Sequence, residues 1–169
     1  MTYRVRGRTF DDFVIDEEII SGARTVTEAD VVNFACLSGD FHPEHMNKEY
    51  ARKGPLGERI AHGLLIISMA TGLLNQTGAF EGTTIAILEV TVRFIKAVKF
   101  GDTIRAIQKV VQKNETSKHD RGCLLYTSDA ADDLLCVDLG GRRIIKKKTK
   151  NKTSATNSLH TTQINTTFR

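Results

Sequence analysis

The chain is poor in cysteine, and none of its cysteines is paired at a CxxC spacing. Of Cys36, Cys123 and Cys136, only Cys36 falls in the first 122 residues. That excludes a disulfide framework and a structural zinc site, and it fits a reducing compartment. An apolar leader is also missing, since the chain starts Met1-Thr2-Tyr3-Arg4. No run approaches the roughly 18 apolar residues that a membrane span requires. No segment repeats another. Over most of its length the chain also lacks any excess of charge. The net charge of +4 would suggest a nucleic-acid or anionic-membrane partner, but residues 1–122 carry 16 basic and 16 acidic side chains, and residues 123–169 carry 8 and 4. The excess therefore belongs to the tail. The body has no DNA-binding element, so nucleic acid and membrane are excluded as its partners, and the expected location is cytoplasmic. A length of 169 residues suits one domain with a sizeable core.

From Cys123 the texture of the sequence changes. Cys123 to Asp133 and Cys136 to Ile145 can be read back, codon by codon, as the inner and outer parts of a transposase-type sequencing-library adapter in one frame. The gap through Leu134 and Leu135 has the size of a sample index of about eight bases. Lys146-Lys147-Lys148 and a stretch of A-rich codons follow. The expectation is a domain over residues 1–122 cut before its last strands, then a non-native tail over residues 123–169. That tail is expected to be irregular, pairing at most opportunistically through Leu124 to Thr127. A basic, Thr/Asn/Lys-rich disordered tail is the alternative that composition alone supports.

Within the body, Glu18 to Val26 reads as a strand. Thr27 caps a helix whose first turn holds Glu28 and Asp30, which suit the positive end of the helix dipole. Val31, Phe34, Ala35 and Ser38 fall on one face as a buried stripe, with Cys36 packed in it, and Gly39 ends the helix. Asp40 to His45 is then a loop, stiffened by Pro43, that leads to a short helical turn over Lys48 to Arg52 and a break at Gly54-Pro55-Leu56-Gly57. His62 to Gln76 is a helix with apolar residues on nearly every face, which predicts burial on all sides. Leu88, Val90, Val92 and Phe94 then alternate with polar residues as a half-buried strand. Phe100-Gly101-Asp102 turns the chain into a strand over Thr103 to Gln112, and a polar turn at Asn114 to Lys118 precedes a further strand near Gly122. The fold class is α+β, with a curved antiparallel sheet wrapped round a central buried helix.

Two stretches bear chemistry: Ser38-Gly39-Asp40-Phe41-His42-Pro43-Glu44-His45 and Ala61-His62-Gly63. With Phe94-Ile95-Lys96-Ala97-Val98-Lys99-Phe100-Gly101-Asp102, they make the chain resemble the MaoC-like dehydratase family of hot-dog-fold proteins, which includes the (R)-specific enoyl-CoA hydratases. The matching residues are Ser38-Gly39-Asp40, Pro43, His45 and His62-Gly63, in a resemblance that runs from about Glu17 to Gly122. His42 stands where the family usually has Asn, and Glu44 where an apolar residue is usual. Both departures lie beside the matching pair and bear on substrate choice more than on chemistry.

The resemblance implies an acyl-CoA hydratase/dehydratase that adds or removes water across the 2,3 double bond of an enoyl thioester, without a cofactor or metal. Asp40 and His45 become the pair that binds and activates water, and Gly63 N–H the oxyanion donor. Thr71, His62 and His42 become supporting residues. The substrate would be an acyl-CoA or acyl-carrier-protein thioester and the assembly a homodimer. The residue types suit this chemistry, because imidazole titrates near working pH and backbone N–H groups at a helix start can stabilise an oxyanion. His62 reads equally as a ligand contact or as a core histidine satisfied by backbone. Ser68 reads as a helix hydroxyl bonding back along its own helix, and Arg93, Lys96 and Lys99 as a solvated strand face, with contacts to coenzyme A phosphates as the alternative. A hot-dog thioesterase and a non-catalytic acyl-CoA-binding module are the competing functions.

Overall fold

The computed structural model describes residues 6–129 and 137–148. A 3-10 turn at Phe10–Asp12 precedes β1 (Glu18–Ile20) and β2 (Arg24–Thr25). The single strand expected over Glu18 to Val26 is thus two short ones. Ser21 makes the break: its N–H donates to the Ala106 carbonyl and its Oγ accepts from Ala106 N–H. Across from it, the strand expected over Thr103 to Gln112 divides in the same way into β4 (Thr103–Ile104) and β5 (Ile107–Glu115). β1 pairs with β5 and β2 with β4, so both chains pass from one sheet to the other at the same level. Periodicity does not carry this switch, because Ser21 replaces ladder bonds with a side-chain bond of its own.

Helix α1 (Glu28–Ser38) starts and ends as its sequence dictates. Thr27 Oγ1 accepts from Asp30 N–H while the Asp30 carboxylate accepts from Thr27 N–H, a reciprocal capping box. Gly39 closes the helix at φ 77°, a left-handed conformation that glycine adopts without a Cβ clash. Val31 and Ala35 are buried, Phe34 is half-buried, and Ser38 and Cys36 are exposed. Cys36 therefore does not pack in the stripe, because the helix presents only its narrow Val31–Ala35 ridge to the core.

The hydrogen bond from Thr27 is the main reason the Asp30 carboxyl titrates below its ordinary range. A depressed carboxyl contributes stability that is present above the unfolded-state pKa and is lost as pH falls through the folded one. The advantage of the native chain over Asp30→Ala, about 1 kcal/mol for a helix cap, is accordingly level above pH ~5 and vanishes in strong acid. Urea denaturation of both proteins across a pH series checks this.

After α2 (Pro43–Met46) and α3 (Lys48–Lys53) comes α4 (Gly63–Gln76), the element at the centre of the fold. Leu65, Ile66, Met69, Ala70, Leu73 and Leu74 are buried against Phe10, Phe13, Ile19, Phe80, Val110, Leu124 and Ile145. Burial on all sides does not hold, since Leu64, at 64% exposure, and Ser68 and Asn75 lie along one uncovered ridge. Ser68 Oγ donates to the Leu64 carbonyl, the back-bond expected of it.

β3 (Thr84–Phe94), β6 (Arg121–Asp129) and β7 (Val137–Lys146) complete a five-stranded antiparallel sheet in the order β1-β5-β6-β7-β3. Register shifts between Val110 and Gln112 and along β3 mark bulges, which bend a sheet and let it curl round a helix. β3 forms one edge. Of its expected inward set only Val92 packs against the core, whereas Leu88, Val90 and Phe94 are each more than half exposed. The alternation is real, but β3 is an edge strand and most of its expected inward face stays uncovered.

Residues 123–129 and 137–148, expected to be irregular, are not. β6 pairs with β5 and with β7, β7 pairs with β3, and Leu124 and Ile145 are fully buried under α4. The physical reason is the alternation of Gly122, Leu124 and Tyr126 and of Arg143 and Ile145, which supplies an inward face whatever the origin of the codons. The fit is imperfect. Gln108 (both amide atoms), Ser128 Oγ and Arg143 Nε and Nη1 are buried without hydrogen-bond partners, and Arg143 instead stacks over the rings of Phe80 and Tyr126. Residues 130–136 and 149–169 lie outside the described residues.

Candidate active site

Gly39 ends α1 so that Asp40 leaves the helix in a tight local turn. Asp40 N–H donates to Ser38 Oγ at 3.2 Å, and Asp40 Oδ1 accepts from His42 N–H at 3.2 Å. His42 caps α2: its Nδ1 accepts from Glu44 N–H, and Pro43 occupies the first helical position, where a missing N–H is harmless. One turn of α2 then carries His45 back over the site. The His45 ring is held from the other side by the chain entering α4, where Nδ1–H donates to the Ile60 carbonyl at 2.8 Å. A carbonyl only accepts, which assigns the proton to Nδ1 and leaves the Nε2 lone pair free. The Ile60 segment is itself pinned, by a bridge to Lys99 and by Ala61 N–H donating to the Val98 carbonyl at 2.8 Å.

His62, 2% exposed, is the residue before α4. Its Nε2–H donates to the Asp40 backbone carbonyl at 2.9 Å and lies 4.0 Å from Asp40 Oδ2. Its ring lies against that of His45, with centroids 3.8 Å apart and planes inclined at 35°, and against that of Phe34 at 5.1 Å and 53°. The structure therefore brings Asp40, His45 and His62 together, with one donor atom from each inside a 4.8 Å cluster. Atoms that close could hold a cation.

Gly63 follows directly as the first residue of α4. His62 supplies no side-chain cap, so the first N–H groups of the helix stay available to an acceptor at its positive end. Glycine lets the Phe94 ring lie close over Gly63: a Cβ there would be 2.5 Å from it and would push the ring aside. Phe94 covers Gly63 and, with Ile60, Leu64, Ile66, Ile95 and Lys96, lines an open, mainly apolar cavity of about 340 Å³. The cavity begins where the acid–imidazole cluster ends.

Not every residue expected at the site is there. Thr71 Oγ1 donates to the Ile67 carbonyl of its own helix and lines a separate cavity with Asn75, Phe80 and Thr84. Two turns of helix, about 12 Å of rise, carry it away from Gly63. His42 is exposed, with its ring edge-on to His45 and Tyr50. Lys96 lines the cavity, whereas Lys99 is paired with Glu58. Sequence reasoning missed the Ile60 carbonyl, because any residue supplies one. It also missed Phe94 as the wall over Gly63, which periodicity assigned to the core.

A curled antiparallel sheet about a central helix, with this cluster at the helix's amino end, is the architecture of the hot-dog fold seen in solved neighbours. The chain belongs to the MaoC-like dehydratase family, for the MaoC like domain matches residues 12–130. It is 41% identical over 112 residues to the protein MaoC of Klebsiella aerogenes, a match covering 66% of this chain and 32% of that protein. It is 32% identical over 103 residues to the (R)-specific enoyl-CoA hydratase of Rhodospirillum rubrum, covering 57% of this chain and 70% of that one. Among solved structures, a monoamine oxidase regulatory protein from Archaeoglobus fulgius superposes with a TM-score of 0.79 at 32% identity, covering 85% of this chain and 97% of that one. The chain thus spans about a third of the length of one curated relative and over two thirds of another.

Proposed function

We propose that this domain hydrates the 2,3 double bond of an enoyl thioester and catalyses the reverse dehydration. The observation that carries the reading is the Asp40–His45 cluster placed at the amino end of α4, beside an apolar cavity. Water held between the Asp40 carboxylate and His45 Nε2 loses a proton to this pair as its oxygen bonds to C3. The electron pair moves through C2 toward the thioester oxygen, to which Gly63 N–H donates a hydrogen bond, and the same pair returns the proton to C2 as the oxyanion collapses and completes the addition. The apolar walls suit an acyl chain, and Lys96 at the cavity suits the phosphates of coenzyme A or the phosphopantetheine of an acyl carrier protein. No cofactor takes part in this scheme.

Leu88, Val90 and Phe94, exposed on the edge strand, support a homodimer formed through β3. No helix among the described residues is long and apolar enough to cross a membrane, and the proposed location is cytoplasmic. We propose further that the native reading frame is cut near Gly122 and the family's own last strands are missing, although the regular pairing of β6 with β7 counts against it. The adapter-like reading frame and the unpartnered polar groups under β6 and β7 support this, and the nucleotide sequence across codons 118–150 tests it.

The function is tested by following the absorbance of a short enoyl-CoA together with free thiol. Loss of the conjugated double bond without thiol release is the expected result, and thiol release without hydration would indicate the thioesterase instead. The relative named as a regulatory protein keeps one second reading alive, a non-catalytic acyl-CoA-binding module. That module would bind the thioester without turning it over, and binding would survive Asp40→Asn.

A further inference from the structure

We propose that His62 is the positioning residue of this site: its N–H fixes the backbone of Asp40, and its ring fixes the plane of His45. The inference rests on the hydratase reading for its kinetic consequence, but not for its geometry.

Asp40 and His45 stand on opposite sides of a loop break. The Asp40 side chain is 52% exposed and His45 sits on a single helical turn, so neither is anchored by its own element. His62 is anchored, being 2% exposed and joined to the central helix. Besides the Phe34 ring, it touches both members of the pair, through a 2.9 Å hydrogen bond to the Asp40 carbonyl and a ring contact with His45 at 3.8 Å and 35°. The Ile60 carbonyl already decides which way round the His45 imidazole lies, but a single hydrogen bond leaves the ring free to tilt about it. The ring contact removes that tilt, and so fixes the direction of the Nε2 lone pair.

The other nitrogen shows that core packing alone does not explain the residue. His62 Nδ1 is buried with no hydrogen-bond partner. An apolar ring would fill the same space without stranding a polar atom, so the imidazole is a poorer core residue than phenylalanine. What the imidazole adds is one directed N–H. It does not itself exchange protons with substrate, because Nε2 is committed to a carbonyl and Nδ1 has no partner to pass a proton to.

Two variants separate these contributions. His62→Phe keeps the ring and loses the donor; His62→Gln keeps an N–H at a similar reach and loses the ring. With His62→Phe, kcat on a short enoyl-CoA is expected to fall about 10- to 100-fold at nearly constant KM, while the melting temperature stays level or rises. His62→Gln should restore part of kcat. A His62→Phe enzyme with kcat within about two-fold of the parent, measured where Asp40→Asn is inactive, would overturn the proposal. Failure of the parent to hydrate any enoyl thioester would instead count against the functional reading, and nitrogen-15 NMR of the imidazoles would then decide the geometry. The expected parent spectrum has His62 protonated on Nε2 and His45 on Nδ1, with the His45 ring signals shifted and broadened in His62→Ala as the ring regains its tilt about an unchanged Nδ1–H bond. A parent His62 protonated on Nδ1, or a His45 unaffected by His62→Ala, overturns the proposal whatever the activity.

Discussion

Asp40→Asn and His45→Gln should each lower the rate of enoyl-CoA hydration by roughly 10²- to 10⁴-fold, the usual range for loss of a positioned acid–base group. Neither substitution should cost much stability. Asp40 is exposed, and besides lying 4.0 Å from His62 Nε2 its side chain accepts from the His42 N–H, which an asparagine carbonyl can also accept. His45 bonds only the Ile60 carbonyl, and a glutamine amide can still donate. The double variant should be little worse than either single one, because the two groups act on one water molecule and their effects are not additive. Stopped-flow or steady-state absorbance at the enoyl band measures this, with thermal melts alongside. Retained hydration in either variant would remove the pair from the mechanism. A loss confined to KM would make them binding groups only.

Ile145→Ala and Leu124→Ala form the second large expectation, about 2–5 kcal/mol of lost stability each. Both side chains are fully buried beneath α4, Leu124 on β6 and Ile145 on β7, and each substitution leaves a cavity in the main core. Arg143→Leu on the same strand should go the other way. It removes a buried guanidinium with two unpartnered nitrogens, and replacing such a group with a packed apolar residue is often neutral or stabilising. Urea denaturation midpoints decide all three. Should the two alanine variants prove silent, β6 and β7 would not be seated as described, and residues 1–122 would hold the fold alone, as their adapter-like continuation suggests.

Much of the site was legible before any coordinates. Thr27, Asp30 and Gly39 fix the start and stop of α1 through local bonds alone, so Asp40 had to emerge just after a helix end. The loop expected from Asp40 to His45 instead turns helical at Pro43, because proline at a first helical position and the His42 cap start a helix as readily as they stiffen a loop. Thr71 was less legible, since a hydroxyl on a helix can bond its own backbone and here does so with Ile67. Ser21 and Cys36 were misread for the same kind of reason: which face an element buries, and where it changes sheet, depends on what lies opposite.

By itself, then, the sequence determined the elements whose cause is local: the capped helix, the turn bearing Asp40, the apolar helix opened by His62-Gly63, and the absence of net charge in the body. Only the tertiary structure decided that His62 lies against His45 and holds the Asp40 carbonyl, that Phe94 closes over Gly63, and that Leu124 and Ile145 fill the sheet beneath α4. Those contacts join residues from about 20 to over 70 positions apart or depend on backbone carbonyls that every residue has, and no local pattern encodes them.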